Sequence, residues 1–289
     1  MINLNKLLRH SSGTDEDYIS GATDIGKMRE NNEDYFLISK EKNLFIVSDG
    51  MGGHNAGEIA SLNATKTVDA HFTPQLIQEI KTQPDRIRDE IISSIKKAHN
   101  QVRDMARHIP SYSGMGCTIV VAMVFRDSLH VGHIGDSRVY LSDNKKLHLL
   151  TIDHTYVMEL VKAGKMTMDE IRTSSIKNHL SQALGAPIEI HPSYGQHRLK
   201  KDDRVLLCTD GLWDAISDEE IFATLTQKKS RQQLCKDMIR KANKAGGYDN
   251  ITVVVIEHHR NFSDGDEAQV GSEQPGEYGI VFDLPQEER

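Results

Sequence analysis

Ser48-Asp49-Gly50-Met51-Gly52-Gly53-His54-Asn55-Ala56-Gly57 follows the apolar run Asn43-Leu44-Phe45-Ile46-Val47. It precedes Glu58 to Phe72, where Ile59, Ala60, Leu62, Val68 and Phe72 fall at helical spacing. The order is therefore strand, acid, glycine-rich loop, helix. Four glycines in the eight residues from Gly50 to Gly57 forfeit packing and raise the entropy cost of ordering the loop. One reading is a tight turn capped by Asp49. The other is a place where carboxylate and backbone oxygens converge on a hard cation.

The pattern recurs, and the recurrence favours the second reading. Strand-like runs meet an acid flanked by small or polar residues at Val131-Gly132-His133-Ile134-Gly135-Asp136-Ser137 and at Val205-Leu206-Leu207-Cys208-Thr209-Asp210-Gly211. Gly246-Gly247-Tyr248-Asp249-Asn250 stands directly before the apolar run Ile251 to Ile256. Four acids at strand ends, far apart in sequence, can be gathered at one end of a packed sheet. Uncompensated, they would repel one another and resist desolvation, and divalent cations resolve that conflict.

At 289 residues, 38% of them hydrophobic, the chain can form one large domain or two small ones around a sizeable core. No segment approaches the length of a membrane span, and Met1 to Ser20 has scattered charges and no apolar stretch of signal-peptide length. Cys117, Cys208 and Cys235 are an odd number without paired spacing, so reduced, buried thiols in a cytosolic protein are expected. The net charge of −7 has a location: residues 261–289 hold eight acids and one base, and residues 1–260 are formally neutral. A neutral body argues against nucleic acid as a partner. The tail, poor in apolar residues until Ile280-Val281-Phe282, reads as flexible and solubilising.

In chain order, Tyr18 to Ile25 has strand character, and Tyr35 to Ile38 with Leu44 to Ser48 reads as a hairpin. Glu58 to Phe72 and Asp85 to Ile109 read as helices, the second with a stripe of Ile87, Ile91, Ile92, Ile95, Ala98, Val102, Met105 and Ala106 for a core. Cys117 to Phe125 reads as one buried strand, with Leu129 to Ile134, Arg138 to Leu141 and Lys146 to Thr151 after it at hairpin spacings, Asp143-Asn144 forming a turn. His154 to Gly164 and Thr167 to Thr173 read as two short helices of a polar surface flap, about 154–178. Strands resume at Leu180 to Leu184, Tyr194 to Leu199 and Arg204 to Thr209. Ser217-Asp218-Glu219-Glu220 caps a helix, Arg231 to Ala245 is another, and Asn250 to Glu257 is the last strand. Antiparallel strands with two helices inserted early and two late imply an α+β protein: an αββα sandwich of two sheets with helices outside each. Acids at strand ends would line a cleft along one edge.

The motifs resemble those of the metal-dependent protein serine/threonine phosphatases of the PP2C (PPM) type, in its compact bacterial branch. The resemblance spans roughly Tyr18 to Glu257. It rests on Arg29-Glu30-Asn31-Asn32-Glu33-Asp34, Asp49-Gly50-Met51-Gly52-Gly53-His54, Gly135-Asp136-Ser137-Arg138, Thr209-Asp210-Gly211-Leu212-Trp213-Asp214 and Asp249-Asn250-Ile251-Thr252, in family order. It implies an N-terminal extension (1–17), a phosphatase domain (18–260) and an acidic tail (261–289).

By resemblance, Asp49 bridges two metal ions, with the Gly50 carbonyl on the second, and Asp210 and Asp249 hold the first. Asp34, and more weakly Glu33, contact the cluster directly or through water. Asp136 with Asp210 supports a third, weaker ion, and Asn250 is an outer hydrogen-bond partner. All-oxygen ligation favours Mn²⁺ or Mg²⁺ over Zn²⁺. The implied reaction is hydrolysis of phosphoserine and phosphothreonine by a water or hydroxide bridging two ions, with Arg29 gripping two phosphate oxygens. The expected partners are targets of a serine/threonine kinase, and the expected state is a monomer.

Two departures stand out. The eukaryotic branch places a histidine directly after the metal-binding Asp-Gly; here that position is Met51, so leaving-group protonation comes from elsewhere, and His54 reads as a helix-start residue. Ser181-Gln182, after Asn178, falls where many bacterial members carry Thr-Arg, which bears on substrate choice. His154 is expected to position the flap, and Trp213 to be core or site wall. The competing readings are a catalytically weak phosphatase-fold binding module and a small-molecule phosphoesterase.

Overall fold

The apolar run from Cys117 to Phe125 is not one strand in the computed structural model, which describes residues 18–52, 56–143, 145–171 and 174–259. It breaks at Thr118, whose N–H donates to the Asp49 carbonyl (2.8 Å) and whose hydroxyl accepts from the Asp49 N–H (3.0 Å). The N-terminal extension, Gly53 and His54, Asn144 of the expected turn, and the acidic tail lie outside the described residues.

The chain begins with β1 (Ile19–Asp24), β2 (Tyr35–Ser39), β3 (Leu44–Ser48) and β4 (Gly50–Met51), then α1 (Gly57–His71), α2 (Pro74–Thr82) and α3 (Ile87–His108). Next come β5 (Gly116–Cys117), β6 (Ile119–Phe125), β7 (Ser128–Ile134), β8 (Arg138–Ser142) and β9 (Leu147–Leu149), followed by α4 (Tyr156–Lys162) and α5 (Met168–Ile171). The last group is β10 (Ser193–Arg198), β11 (Arg204–Cys208), α6 (Asp210–Trp213), α7 (Asp218–Leu225), α8 (Arg231–Lys244) and β12 (Ile251–Glu257).

Two antiparallel five-stranded sheets form, in the orders β1-β12-β11-β8-β9 and β10-β7-β6-β3-β2, while β4 and β5 make a small two-stranded sheet. Alternation along the strands sorts side chains into layers. In β3, Phe45 and Val47 join Val120, Ala122, Val139, Leu141, Val205, Leu207, Val254 and Ile256 between the sheets. Leu44 and Ile46 of the same strand face outward, onto Val68 of α1, Phe72 just after it, and Ile91, Ile95, Ala98 and Val102 of α3. On the far side, Leu206, Val253 and Val255 pack on Ile221, Leu234 and Met238 of α7 and α8. The architecture is the αββα sandwich. Each fully buried Leu, Ile, Val or Phe contributes about 1.5–3 kcal/mol of transfer free energy.

Three further sequence expectations change. Hairpin spacing suggested that β6, β7, β8 and β9 pair in succession, yet β7 belongs to one sheet and β8 to the other. The crossover is Gly135-Asp136-Ser137, with Gly135 at φ +98°, where an added Cβ would strike Thr118. Leu180 to Leu184 is not a strand; it makes only isolated bridges, Thr155 with Leu180 and Cys117 with Leu184, and so becomes a wall between flap and core. Finally, α2 is an additional helix, started by Pro74 and by Thr73, whose hydroxyl accepts from the Leu76 N–H.

Candidate metal centre

Antiparallel register puts the acids at one end of the sandwich. The start of β2 pairs with the end of β3 (Tyr35 with Ser48), which sets Asp34 beside Asp49. The end of β11 pairs near the start of β12 (Cys208 with Val253, then Thr209 N–H to the Thr252 carbonyl at 3.1 Å), which sets Asp210 beside Asp249. The first pair belongs to one sheet and the second to the other, so face-to-face stacking merges them. The crossover adds Asp136.

Hydroxyl groups fix this floor. Thr209 Oγ donates to Asp34 Oδ2 across the two sheets (2.8 Å) and accepts from the Thr252 N–H (3.0 Å). Thr252 Oγ in turn shares a 2.7 Å hydrogen bond with Thr23 Oγ. Under Asp49, the Thr118 hydroxyl meets Ser137 Oγ at 2.7 Å, tying β3, β5 and the crossover together. These threonines and Ser137 were missed by sequence reasoning. Only Ser137 and Thr209 carried a local signal, a hydroxyl directly beside Asp136 and Asp210.

Asn250 acts as a staple. Its side-chain oxygen accepts from the Glu33 N–H (2.8 Å), and its Nδ2 donates to the carbonyls of Ile25 and Asn31 (both 2.9 Å). Gly50 has no room for a side chain, since a Cβ would collide with the carbonyls of Gly57 and Glu33. Its N–H donates to the Glu33 carbonyl at 3.1 Å. Asp136 is anchored through its carbonyl, which accepts from Trp213 Nε1 (3.0 Å). The Arg138 guanidinium stacks 3.6 Å from the centre of the Trp213 ring and grips Asp153 with its Nε and Nη2. His154 Nε2 meets Ser193 Oγ at 2.9 Å, and His154 N–H donates to the Gly135 carbonyl at 2.9 Å, which fastens the root of the flap to the crossover.

The electrostatics of the cluster are unresolved by the protein itself. Burial, then repulsion from Asp210 and Asp249, pushes Asp34 up to about 7 despite its threonine hydrogen bonds. Burial and Asp249 push Asp210 up to about 6. Burial and the neighbouring acids hold Asp49 and Asp136 well above the usual carboxylate range. Among the described residues, buried oxygens without any hydrogen-bond partner include Asp34 Oδ1 and Asp210 Oδ1. The Arg29 guanidinium reaches the cluster, at 2.7 Å from Asp249 Oδ2.

A cleft of about 720 Å³ opens above these groups. Arg29, Glu33, Asp49, Gly50, Asp136, Asp210, Asp249 and Asn250 all line it; Asp34 lies behind the wall, held by Thr209. Gln182 also lines it and is fixed by accepting from the His191 N–H at 2.6 Å. Raised acid affinities for protons, orphaned carboxylate oxygens and an all-oxygen donor set fit hard divalent cations. Among the described residues, none of these acids belongs to a group of three His, Cys, Asp or Glu whose ligand atoms lie within 4.8 Å of one another. Cys117, Cys208 and Cys235 are buried and do not line the cleft, with thiols pushed up in pKa by desolvation, and offer no nucleophile.

Comparison with known proteins agrees with this geometry. The sequence profile of protein phosphatase 2C matches residues 26–252. Protein phosphatase PhpP of Streptococcus pneumoniae is 35% identical over 241 residues, covering 82% of this chain and 96% of its own. The serine/threonine phosphatase structure from S. agalactiae superposes with a TM-score of 0.77 at 36% identity, over 82% of this chain and 98% of that one. The catalytic domain of the serine/threonine protein phosphatase PstP, solved with two manganese ions, gives a TM-score of 0.71 at 30% identity, over 83% and 96%. With the profile match spanning most of the chain and the acids of its motifs gathered at one cleft, the chain belongs to the protein phosphatase 2C family.

Proposed function

We propose that this protein hydrolyses phosphoserine and phosphothreonine in phosphoproteins, using divalent cations held by the acid cluster. The observation that carries the reading is the convergence of Asp49, Asp136, Asp210 and Asp249 with Arg29 in one cleft. Asp49 and the Gly50 carbonyl, with Asp210 and Asp249, are the residues that would hold two Mn²⁺ or Mg²⁺ ions, and Asp136 with Asp210 a weaker third. Asp34 supports the set from behind the wall, and Glu33 and Asn250 from the lining of the cleft. Bound cations supply charge neutralisation for the phosphate dianion and an activated water.

The chain's own residues do the rest. Arg29 presents a planar fork that matches two phosphoryl oxygens, and its place on Asp249 keeps it at the edge of the acid ring. The water oxygen bonds to phosphorus while the bond to the serine or threonine oxygen breaks. The departing alkoxide needs a proton, and Met51, which follows Gly50, has none to give, so that proton comes from water in the cleft. The Thr209 hydroxyl holds the Asp34 carboxylate, and the Thr118 hydroxyl, braced by Ser137, holds the Asp49 backbone, which limits reorganisation as charge moves.

The phosphatase domain of this reading spans 18–260, and its partners are proteins phosphorylated by a serine/threonine kinase in the same cytoplasm, met by a monomer. Among the described residues, no helix is long and apolar enough to cross a membrane. The test is turnover of a phosphothreonine peptide with Mn²⁺, with EDTA, and by Asp49→Asn. Turnover that needs Mn²⁺ and disappears in Asp49→Asn supports the reading; turnover that survives both, or no turnover by folded, Mn²⁺-supplied protein, overturns it.

A further inference from the structure

Several large apolar side chains exposed on the surface gather at one cleft. Among the described residues nine are exposed, and Met51, Tyr156 and Ile188 of that set line the catalytic cleft. Met28 and Tyr248, 66% and 72% exposed, directly precede Arg29 and Asp249, which also line it. Ile25 is tied to the cleft-lining Asn250 through its carbonyl. Scattered apolar residues need no explanation, but three of the nine lining one cleft, with two more directly beside residues that line it, mark a contact surface.

The groups are built, not incidental. Lys27 and Met28 N–H both donate to the Gly247 carbonyl (2.8 and 3.2 Å), which joins two loops far apart in sequence and sets Met28 near Tyr248. Gly246 and Gly247, at φ +141° and +59°, allow the bend that holds Tyr248 outward. On the flap side, Tyr156 N–H donates to the His179 carbonyl (2.9 Å), fixing the first turn of α4 against the cleft wall. Charges beside these residues offer no competing basis for selection. Lys177 is neutralised by Asp214 at 2.6 Å, and Lys27 and Glu30 flank Met28 and Arg29 with opposite signs.

We infer that the rim of the cleft selects phosphoproteins whose residues next to the phosphorylated serine or threonine are apolar or aromatic. Met51, Tyr156 and Ile188 form one contact group, and Met28 with Tyr248 the second. The inference rests on the phosphatase reading above, and the occupant follows from continuity with the cleft. An extended peptide advances about 3.3 Å per residue, so with its phosphoryl group in the cleft its neighbours one to three places away lie on this rim.

The experiment measures kcat/KM of the full chain with Mn²⁺ on matched phosphothreonine peptides that differ only in these flanking positions, Leu and Phe against Ser and Gly. The expected preference for apolar flanks is about tenfold, the scale of one well-covered side chain. In the double variant Tyr156→Ser, Tyr248→Ser the ratio falls towards one; both positions are exposed, and thermal unfolding confirms the fold. A wild-type ratio near one, or a ratio unchanged in the double variant, overturns the inference while leaving the phosphatase reading in place. A rim that serves self-association would instead give a mass that grows with concentration and no flank preference, which also overturns it. Failure to turn over either peptide or 4-nitrophenyl phosphate with Mn²⁺ would strike the phosphatase reading itself.

Discussion

The strand β12 separates two electrostatic arrangements. At its far end Glu257, 7% exposed, receives Arg204 Nε at 2.6 Å and Arg231 Nη1 at 3.1 Å. Although burial opposes ionisation, these two guanidiniums hold its carboxyl below the usual range. At the near end Asp34, 6% exposed, has threonine hydroxyls and other acids for neighbours and is pushed up to about 7. Solvent exposure is nearly equal, but Asp34 is the more deeply enclosed, and the partners are opposite. The far end compensates its carboxylate within the chain, as a structural ion pair does. The near end leaves its carboxylates in conflict, which is the condition of a site that awaits charge from outside.

The largest effect that would break this contrast is at Asp210. Asp210→Asn should lower Mn²⁺-dependent turnover of a phosphothreonine peptide by at least about 10³-fold. In metal-free protein the same change relieves repulsion and should raise Tm, by about 2–4 °C for each kcal/mol gained. A Tm that falls by many degrees would mean that the acid is structural.

Glu257→Gln is the mirror experiment. It leaves two largely buried guanidiniums without their carboxylate and should cost about 3 kcal/mol in urea unfolding, with kcat changed little. A loss of turnover without a loss of stability would erase the difference between the two ends.

Arg29→Ala should reduce kcat/KM by about 10²-fold, mostly through KM, with Arg29→Lys recovering only part because an ammonium cannot bind two oxygens in one plane. Equal values for Lys and Arg would argue against bidentate phosphate contact.

The smallest effect is on metal affinity. Because Asp34 is raised to about 7 and Asp210 to about 6, a cation must displace protons below those values. The Mn²⁺ concentration for half-maximal activity should therefore fall about tenfold or more between about pH 5.5 and about pH 7.5, then level off. A flat profile would show that these carboxylates are already ionised without metal.

Much of the site was legible because Asp49, Asp136, Asp210 and Asp249 announce themselves locally, at strand ends beside small or polar residues, whereas Asp34 and Glu33 came only through the family resemblance. The capped start of α7 was equally legible: Ser217 Oγ accepts from the Glu220 N–H, and the Glu220 carboxylate accepts from the Ser217 N–H. The passage from β7 to β8 was not, since a three-residue connection looks the same whether strands pair or change sheets. Leu180 to Leu184 has a strand's composition, but its partners are single residues of the flap and of β5. The hydroxyl relay from Thr23 through Thr252 and Thr209 to Asp34 joins residues from three distant parts of the chain, and local pattern carries no trace of that.

The sequence by itself determined which oxygens exist, that they sit at strand ends, and that the chain alternates so as to make two sheets with helices outside. Only the tertiary structure decided that Asp34 and Asp49 of one sheet face Asp210 and Asp249 of the other, and that Arg29 reaches Asp249 across 220 residues of chain. The physical reason is that alternation and turn chemistry act between neighbours in sequence. Repulsion among buried carboxylates depends on distance through a poorly screening interior, and stacking of the sheets alone sets that distance.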